Sequence, residues 1–192
     1  MIDIINQAKD CCYIALKLSR SDMKNSFIVS FLVLISCTST INQEIPSQYY
    51  NYNILIGEVD WDGLTREPYN EWFTPNYLSY QVDTTSLSSS RGNLEEIKIV
   101  AFIGSWCEDS QIQLPQFYKI LDYLGFDLNN LRLEAIDRSE DGLVFSPLCI
   151  ENMVSQSPEF IFFKSGKEIG RISEYPEETL EKDMVKIIEQ TY

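Results

Sequence analysis

The chain has no histidine and five cysteines, and the chemistry it can do gathers at Cys107. That residue sits in Trp106-Cys107-Glu108-Asp109-Ser110, directly after the apolar run Ile97–Ile103. The pattern reads as a buried strand entering a turn, with a cysteine at the start of a helix. A thiolate there faces unpaired backbone N–H groups and the positive end of the helix dipole, and both favour ionisation. Glu108 and Asp109 oppose this, because negative charge beside a thiolate favours the neutral thiol. Terminus and charge effects are each worth about 0.3–1 kcal/mol when exposed, so the sign of the net shift stays open at this level. Ser110, one turn into the helix, can donate a hydrogen bond to the thiolate but cannot itself exchange with a disulfide. The chemistry expected of Cys107 is therefore that of a lone thiol: mixed-disulfide formation or oxidation to a sulfenic acid.

Other chemistries are excluded by composition. Without histidine there is no imidazole general base, no Ser-His-Asp or Cys-His pair and no histidine zinc site. Neither a phosphate-binding G-x-x-x-x-G-K-[ST] loop nor a G-x-G-x-x-G fingerprint is present. Asp137-x-Ser139-x-Asp141-Gly142 opens like a calcium loop, but its twelfth position is Leu148 instead of a bidentate Glu, so it is rejected. No metal or other cofactor is expected. The net charge of −14 over 192 residues argues against nucleic acid or an anionic membrane bound through a basic face.

The elements that must hold Cys107 follow from periodicity. Residues 97–103 are apolar on both faces, as in a strand covered by helices on either side. A helix over 107–123 should bury Ile112, Phe117, Ile120, Leu121 and Leu124, with Pro115 able to kink it. Leu131–Ile136 alternates as a strand, and Ser146-Pro147 opens a short helix carrying Cys149 and Met153. Strands 159–164 and 168–173 form a hairpin through Ser165-Gly166, and a last helix starts near Glu177. Before these, Ile54–Val59 makes a short first strand, and Glu67–Phe73 a short helix with Pro68 in its first turn. The order β-α-β-α-β-β-α predicts a three-layer α/β domain with a central mixed sheet and an N-terminal extension. The expected organisation is a leader over 1–37, a tether over 38–53, the extension over 54–94 and the main domain over 95–192.

Trp106, Cys107, Ser110, Pro115, Pro158, Lys164 and Gly166 together resemble the thioredoxin superfamily. That family has a strand, then W-C-x-x-C, a proline five residues after the second cysteine, and later a cis-proline, a short apolar strand and a K-x-G turn. The resemblance covers about residues 95–190 and implies a thioredoxin-like fold with Cys107 as the attacking thiol. It also implies that Pro158 is cis, faces Cys107 and presents backbone groups to a bound peptide. Two positions depart from the pattern. Ser110 stands where the second cysteine would be, and Ala101 where typical members carry a buried carboxylate that assists proton transfer. Both argue against a full dithiol reductase, and Ser110 makes this a monothiol variant of the pattern. By the same resemblance Cys149 falls in the short helix flanking the active-site face. A Cys107–Cys149 disulfide is one reading, needing Cα atoms within about 7 Å. The other is that Cys149 is a small buried hydrophobe.

The N-terminus reads as an address. Met23-Lys24-Asn25-Ser26 precedes the ten-residue apolar stretch Phe27–Ser36, then Cys37. This fits an export signal with Met23 as translation start, and the stretch is too short to cross a bilayer, which takes about 20 apolar residues. Leu34-Ile35-Ser36-Cys37 resembles a bacterial lipobox, in which Cys37 is lipidated; the alternative is a plain cleaved signal. Residues 1–37 hold four basic and three acidic residues, leaving 11 and 26, a balance of −15.

The leading expectation is a monothiol thiol-disulfide oxidoreductase on the periplasmic face of a bacterial envelope. It would be held to the membrane by lipid on Cys37, and Cys107 would act on exported proteins bearing cysteines or disulfides. Release would use an unidentified thiol reductant. Two further readings are a non-catalytic scaffold module docking partners near Pro158 and the 61–80 aromatics, and a redox sensor using Cys107 with Cys149.

Overall fold

The computed structural model describes residues 41–189 except 48, 89–93, 95, 140, 141 and 145. The expected leader, with Met23 and Cys37, lies outside the described residues.

The site rests on a six-stranded mixed sheet. Its strands are β1 (Gln43–Pro46), β2 (Asn53–Val59), β3 (Ile97–Ile103), β4 (Leu131–Ala135), β7 (Glu159–Lys164) and β8 (Lys167–Ser173), in the order β1-β2-β4-β3-β7-β8. A separate hairpin pairs β5 (Asp137–Ser139) with β6 (Gly142–Val144). β3 runs parallel to β4, with Ala101 opposite Leu133, and antiparallel to β7, with Ala101 opposite Phe160. β2 is antiparallel to β4, and β7 and β8 form the closing hairpin. This is the thioredoxin-like α/β layout that the resemblance implies.

Strand alternation sends Ile97, Ile99, Ala101 and Ile103 to the main core and Phe102 to a smaller cluster with Ile136, Cys149, Val154 and Ile161. The main core is capped by helix α3 (Glu108–Leu124), whose Phe117 ring lies 4.2 Å from that of Phe160, and by α5 (Leu180–Glu189) through Leu180, Met184, Ile187 and Ile188. A buried Phe or Leu is worth about 1.5–3 kcal/mol relative to exposure, so this face holds α3 against β3. α3 stops at Gly125, whose φ of 69° suits a residue without Cβ; its N–H reaches the carbonyls of Asp122 and Leu121. Helix α4 (Pro147–Glu151) carries Cys149 into the smaller cluster.

Several expectations change. The 38–53 tether is ordered sheet in part, since Gln43–Pro46 pairs with β2 residue by residue. A four-residue edge strand of mixed polarity has no alternation to reveal it, and Pro46 closes it where no ladder donor is needed. A short helix α1 (Trp61–Thr65) follows Asp60, whose carboxylate accepts from the Gly63 N–H. The next helix, α2 (Asn70–Ser79), begins after Pro68, which follows a cis peptide bond, and it contains Pro75. Ile112 is 41% exposed, because the stripe of α3 that meets the core runs through Ser110, Gln113, Leu114, Phe117, Leu121 and Leu124. Met153 lies beyond α4 and is 77% exposed. The last helix starts at Leu180; the N–H groups of Glu177 and Glu178 instead bond the Asp183 carboxylate.

Candidate functional site

β3 ends at Ile103, and Gly104-Ser105-Trp106 turns the chain into α3. The Cys107 N–H donates to the Gly104 carbonyl at 2.9 Å, and the Cys107 carbonyl accepts from the Gln111 N–H at 3.0 Å. Cys107 is thus the N-cap of α3, in extended conformation, with a half-buried side chain. Gly104 is required here: a Cβ would stand 2.5 Å from the Trp106 ring. That ring is fixed by its indole N–H, which donates to the Ile136 carbonyl at 2.9 Å, and by stacking on Tyr50 with centroids 5.7 Å apart.

The Cys107 thiol donates to the Ser157 carbonyl, with sulfur and oxygen 3.2 Å apart. Ser157 precedes Pro158 across a cis bond. The loop is tied to the turn from behind, because the Gly104 N–H donates to the Ser157 hydroxyl at 2.8 Å. Ser110 completes this tie instead of serving the sulfur. Its side chain is fully buried, with its hydroxyl 3.0 Å from that of Ser157 and 3.3 Å from the Gly104 N–H. The expected Ser110–thiolate bond is replaced by a serine pair that fixes the distance between the thiol and the proline loop. Ser110 faces into the domain from the first turn of α3, which directs its hydroxyl at the loop.

The sulfur opens into a cleft of about 340 Å³ lined by Trp106, Asp109, Arg138, Gln156, Ser157 and Glu174. Asp109 is engaged: its carboxylate accepts from the Tyr175 hydroxyl at 2.8 Å, which raises the Tyr175 pKa. Arg138 brings positive charge to the rim, its guanidinium centre 5.7 Å from the Trp106 centroid and 5.5 Å from that of Tyr49. Neither Arg138 nor the Tyr49–Tyr50 pair was singled out in the sequence, where they lie about 30 and 57 positions from Trp106 with no motif to join them.

A buried carboxylate does lie beside the proline loop, one strand over from Ala101. Glu159 is 1% exposed and follows Pro158. It accepts from the Arg171 guanidinium at 2.6 Å, the Ser173 hydroxyl at 3.0 Å and the Ser155 N–H at 3.2 Å. Arg171 also donates to the Asn152 carbonyl at 3.1 Å. These bonds clamp the segment from α4 to β7 onto the hairpin, and so hold the carbonyl that faces Cys107. Ala101 itself is fully buried and apolar against the main core.

Cys149 is fully enclosed in the smaller cluster. Burial pushes its thiol pKa up, against the Ser146 hydroxyl, which donates to the sulfur at 3.4 Å. Cys107 and Cys149 are both free thiols. The structure therefore does not bring them together as a disulfide, and Cys149 would have to leave its apolar surroundings to reach Cys107. Among the described residues no group of three His, Cys, Asp or Glu side chains is arranged to hold a metal ion, and no helix is long and apolar enough to cross a membrane.

No protein-family model matches the sequence, and neither does any curated protein. Solved structures do match the fold. A Pseudomonas aeruginosa protein of unknown function shares 17% identity at a TM-score of 0.51, over 71% of this chain and 95% of its own. Mitochondrial thioredoxin 3 from Saccharomyces cerevisiae is 22% identical over 60% of this chain and 98% of its own, with a TM-score of 0.34. Fasciola hepatica thioredoxin is 18% identical over 56% and 89%, with a TM-score of 0.35.

Proposed function

We propose that this protein is a monothiol thiol-disulfide exchange protein acting through Cys107. The observation that carries the reading is the placement of the sulfur: at a helix N-terminus, half-exposed in a cleft, 3.2 Å from the Ser157 carbonyl. The cleft leaves the sulfur open to the approach of a partner's disulfide. The Cys107 thiolate attacks one sulfur of a partner's disulfide, forming a mixed disulfide and expelling the other sulfur as a thiolate. An external thiolate then attacks the partner's sulfur, restoring the Cys107 thiolate and leaving the disulfide between partner and reductant. Ser110 takes no part in this exchange and keeps the proline loop against the thiol. The leader sequence supports export and anchoring through Cys37, and exported proteins bearing cysteines as partners.

A second reading, a non-catalytic scaffold of the same fold, is favoured by the serine pair that stands where a resolving thiol would be. Thiol-trapping capture separates the two. The exchange reading expects disulfide-linked partners with the wild type and their loss with Cys107→Ala; equal recovery from both sinks it.

A further inference from the structure

The cleft that holds the Cys107 sulfur carries opposite charge on its two sides, and the strand order explains why. β4 lies on one side of β3 and runs parallel to it, with Ala135 opposite Ile103, so both strands end at the same edge of the sheet. Arg138 follows three residues after Ala135. β7 and β8 lie on the other side of β3. β8 finishes at that same edge, with Ser173 opposite Glu159, and Glu174 is the next residue. Neighbouring strands are about 4.8 Å apart. Arg138 therefore leaves the sheet one strand from the Cys107 turn, and Glu174 leaves it two strands away on the opposite side.

Among the described residues, the charged side chains lining the cleft are Arg138, Asp109 and Glu174. Asp109 belongs to the Glu174 side, since its carboxylate accepts from the hydroxyl of Tyr175. Arg138 belongs to the Trp106 side, over whose ring it rests. The Arg138 guanidinium is left ready for a partner. Arg66, Arg132 and Arg171 are each paired with a glutamate, whereas Arg138 is in no ion pair among the described residues of a chain with 29 acidic residues. Ring contacts with Trp106 and Tyr49 hold it in place without using its N–H donors. On the other side, Glu174 is fixed by its N–H, which donates to the Pro158 carbonyl at 2.8 Å. An extended polypeptide advances about 3.3 Å per residue, so positions one or two away from a bound cysteine reach both sides.

We propose that the cleft reads the order of charges around the cysteine that joins Cys107: an acidic residue on the Arg138 side and a basic residue on the Glu174 side, so that a partner segment is taken in one chain direction. This rests on the exchange reading above and adds a partner class to it.

The test uses the full chain and two end-blocked peptides of identical composition, one with Glu-Cys-Lys and one with Lys-Cys-Glu, each cysteine being a mixed disulfide with 2-mercaptoethanol. Cys107 displaces 2-mercaptoethanol, and the Cys107–peptide disulfide is followed by mass spectrometry, beside reaction with bis(2-hydroxyethyl) disulfide. The peptides carry equal net charge, so the overall charge of the protein favours neither. At low salt the two orders should differ about five-fold in rate, as expected for two exposed ion pairs made in one order and lost in the other. At about 1 M salt the ratio should approach one, because the screening length falls to about 3 Å. Arg138→Gln should bring the ratio below about two-fold. Lys167→Gln, which removes the same charge at the far end of β8, should leave it unchanged. Equal rates for the two orders, an undiminished ratio in Arg138→Gln, or the same fall from both substitutions would overturn the inference, as would reaction with the small disulfide alone. Absence of reaction with every disulfide, the small one included, overturns the exchange reading and the inference with it.

Discussion

Arg171→Met should cost this protein several kcal/mol of stability, about 3 by the geometry of the pair it breaks. Arg171 holds Glu159 at 2.6 Å, with side-chain exposures of 24% and 2%. Removing one partner of a buried pair costs about 3–5 kcal/mol, because a charge is left in a poor solvent. Glu159 retains the Ser173 hydroxyl and Ser155 N–H, and Arg171 reaches the surface, so the lower end, about 3 kcal/mol, is expected. Loss of the outer bond to Glu168, a half-exposed pair, adds at most about 1 kcal/mol. With a urea m-value of about 2 kcal/mol/M, the midpoint should fall by about 1.5–2 M. The double variant Glu159→Met/Arg171→Met should recover part of this, since no unpaired charge is left, although the Ser155 N–H and the Ser173 hydroxyl lose their acceptor. The assay is equilibrium urea denaturation followed by tryptophan fluorescence, because Trp106 adjoins the loop. A single variant within about 1 kcal/mol of wild type, or a double variant as weak as the single, would refute the clamp.

Gly104→Ala should drive the Trp106 ring off the Ile136 carbonyl, since the new methyl meets ring carbons at 2.5 and 2.8 Å. The expected cost is about 1–3 kcal/mol with a shift in tryptophan emission, and an unchanged spectrum would count against the packing described. Iodoacetamide at pH 8 should label Cys107 in the native protein and reach Cys149 only after denaturant is added, as peptide mapping would show; equal labelling would mean the smaller cluster is open. Alkali should destabilise the protein. Tyr69 titrates at about 12, and Tyr80 and Tyr118 are also raised by burial, while unfolded tyrosines titrate near about 10. Folded-state pKa values above the unfolded ones give stability that is intact below pH of about 9 and declines from there toward 12. A flat denaturation midpoint across that window would show that these hydroxyls are not buried.

What could be read from the chain was whatever is encoded over a dozen neighbouring residues. An apolar run on both faces announced β3, a cysteine and two acids announced the start of α3, and Gly166 announced the last hairpin, because helix caps, turns and strand alternation are local preferences. The thiol's position at the cap was legible for that reason. Its surroundings were not. Ser110 looked like a donor for the sulfur and proved to be bonded to Ser157, 47 positions away. The tether residues 43–46 became sheet only because β2 offered an unpaired edge. Glu159 and Arg171 met because a hairpin register set them on one face, and Tyr50 reached Trp106 because β1 and β2 bring their connection to the thiol turn. Each is a contact between segments whose separate preferences say nothing about the other, and only burial of a shared core brings them together.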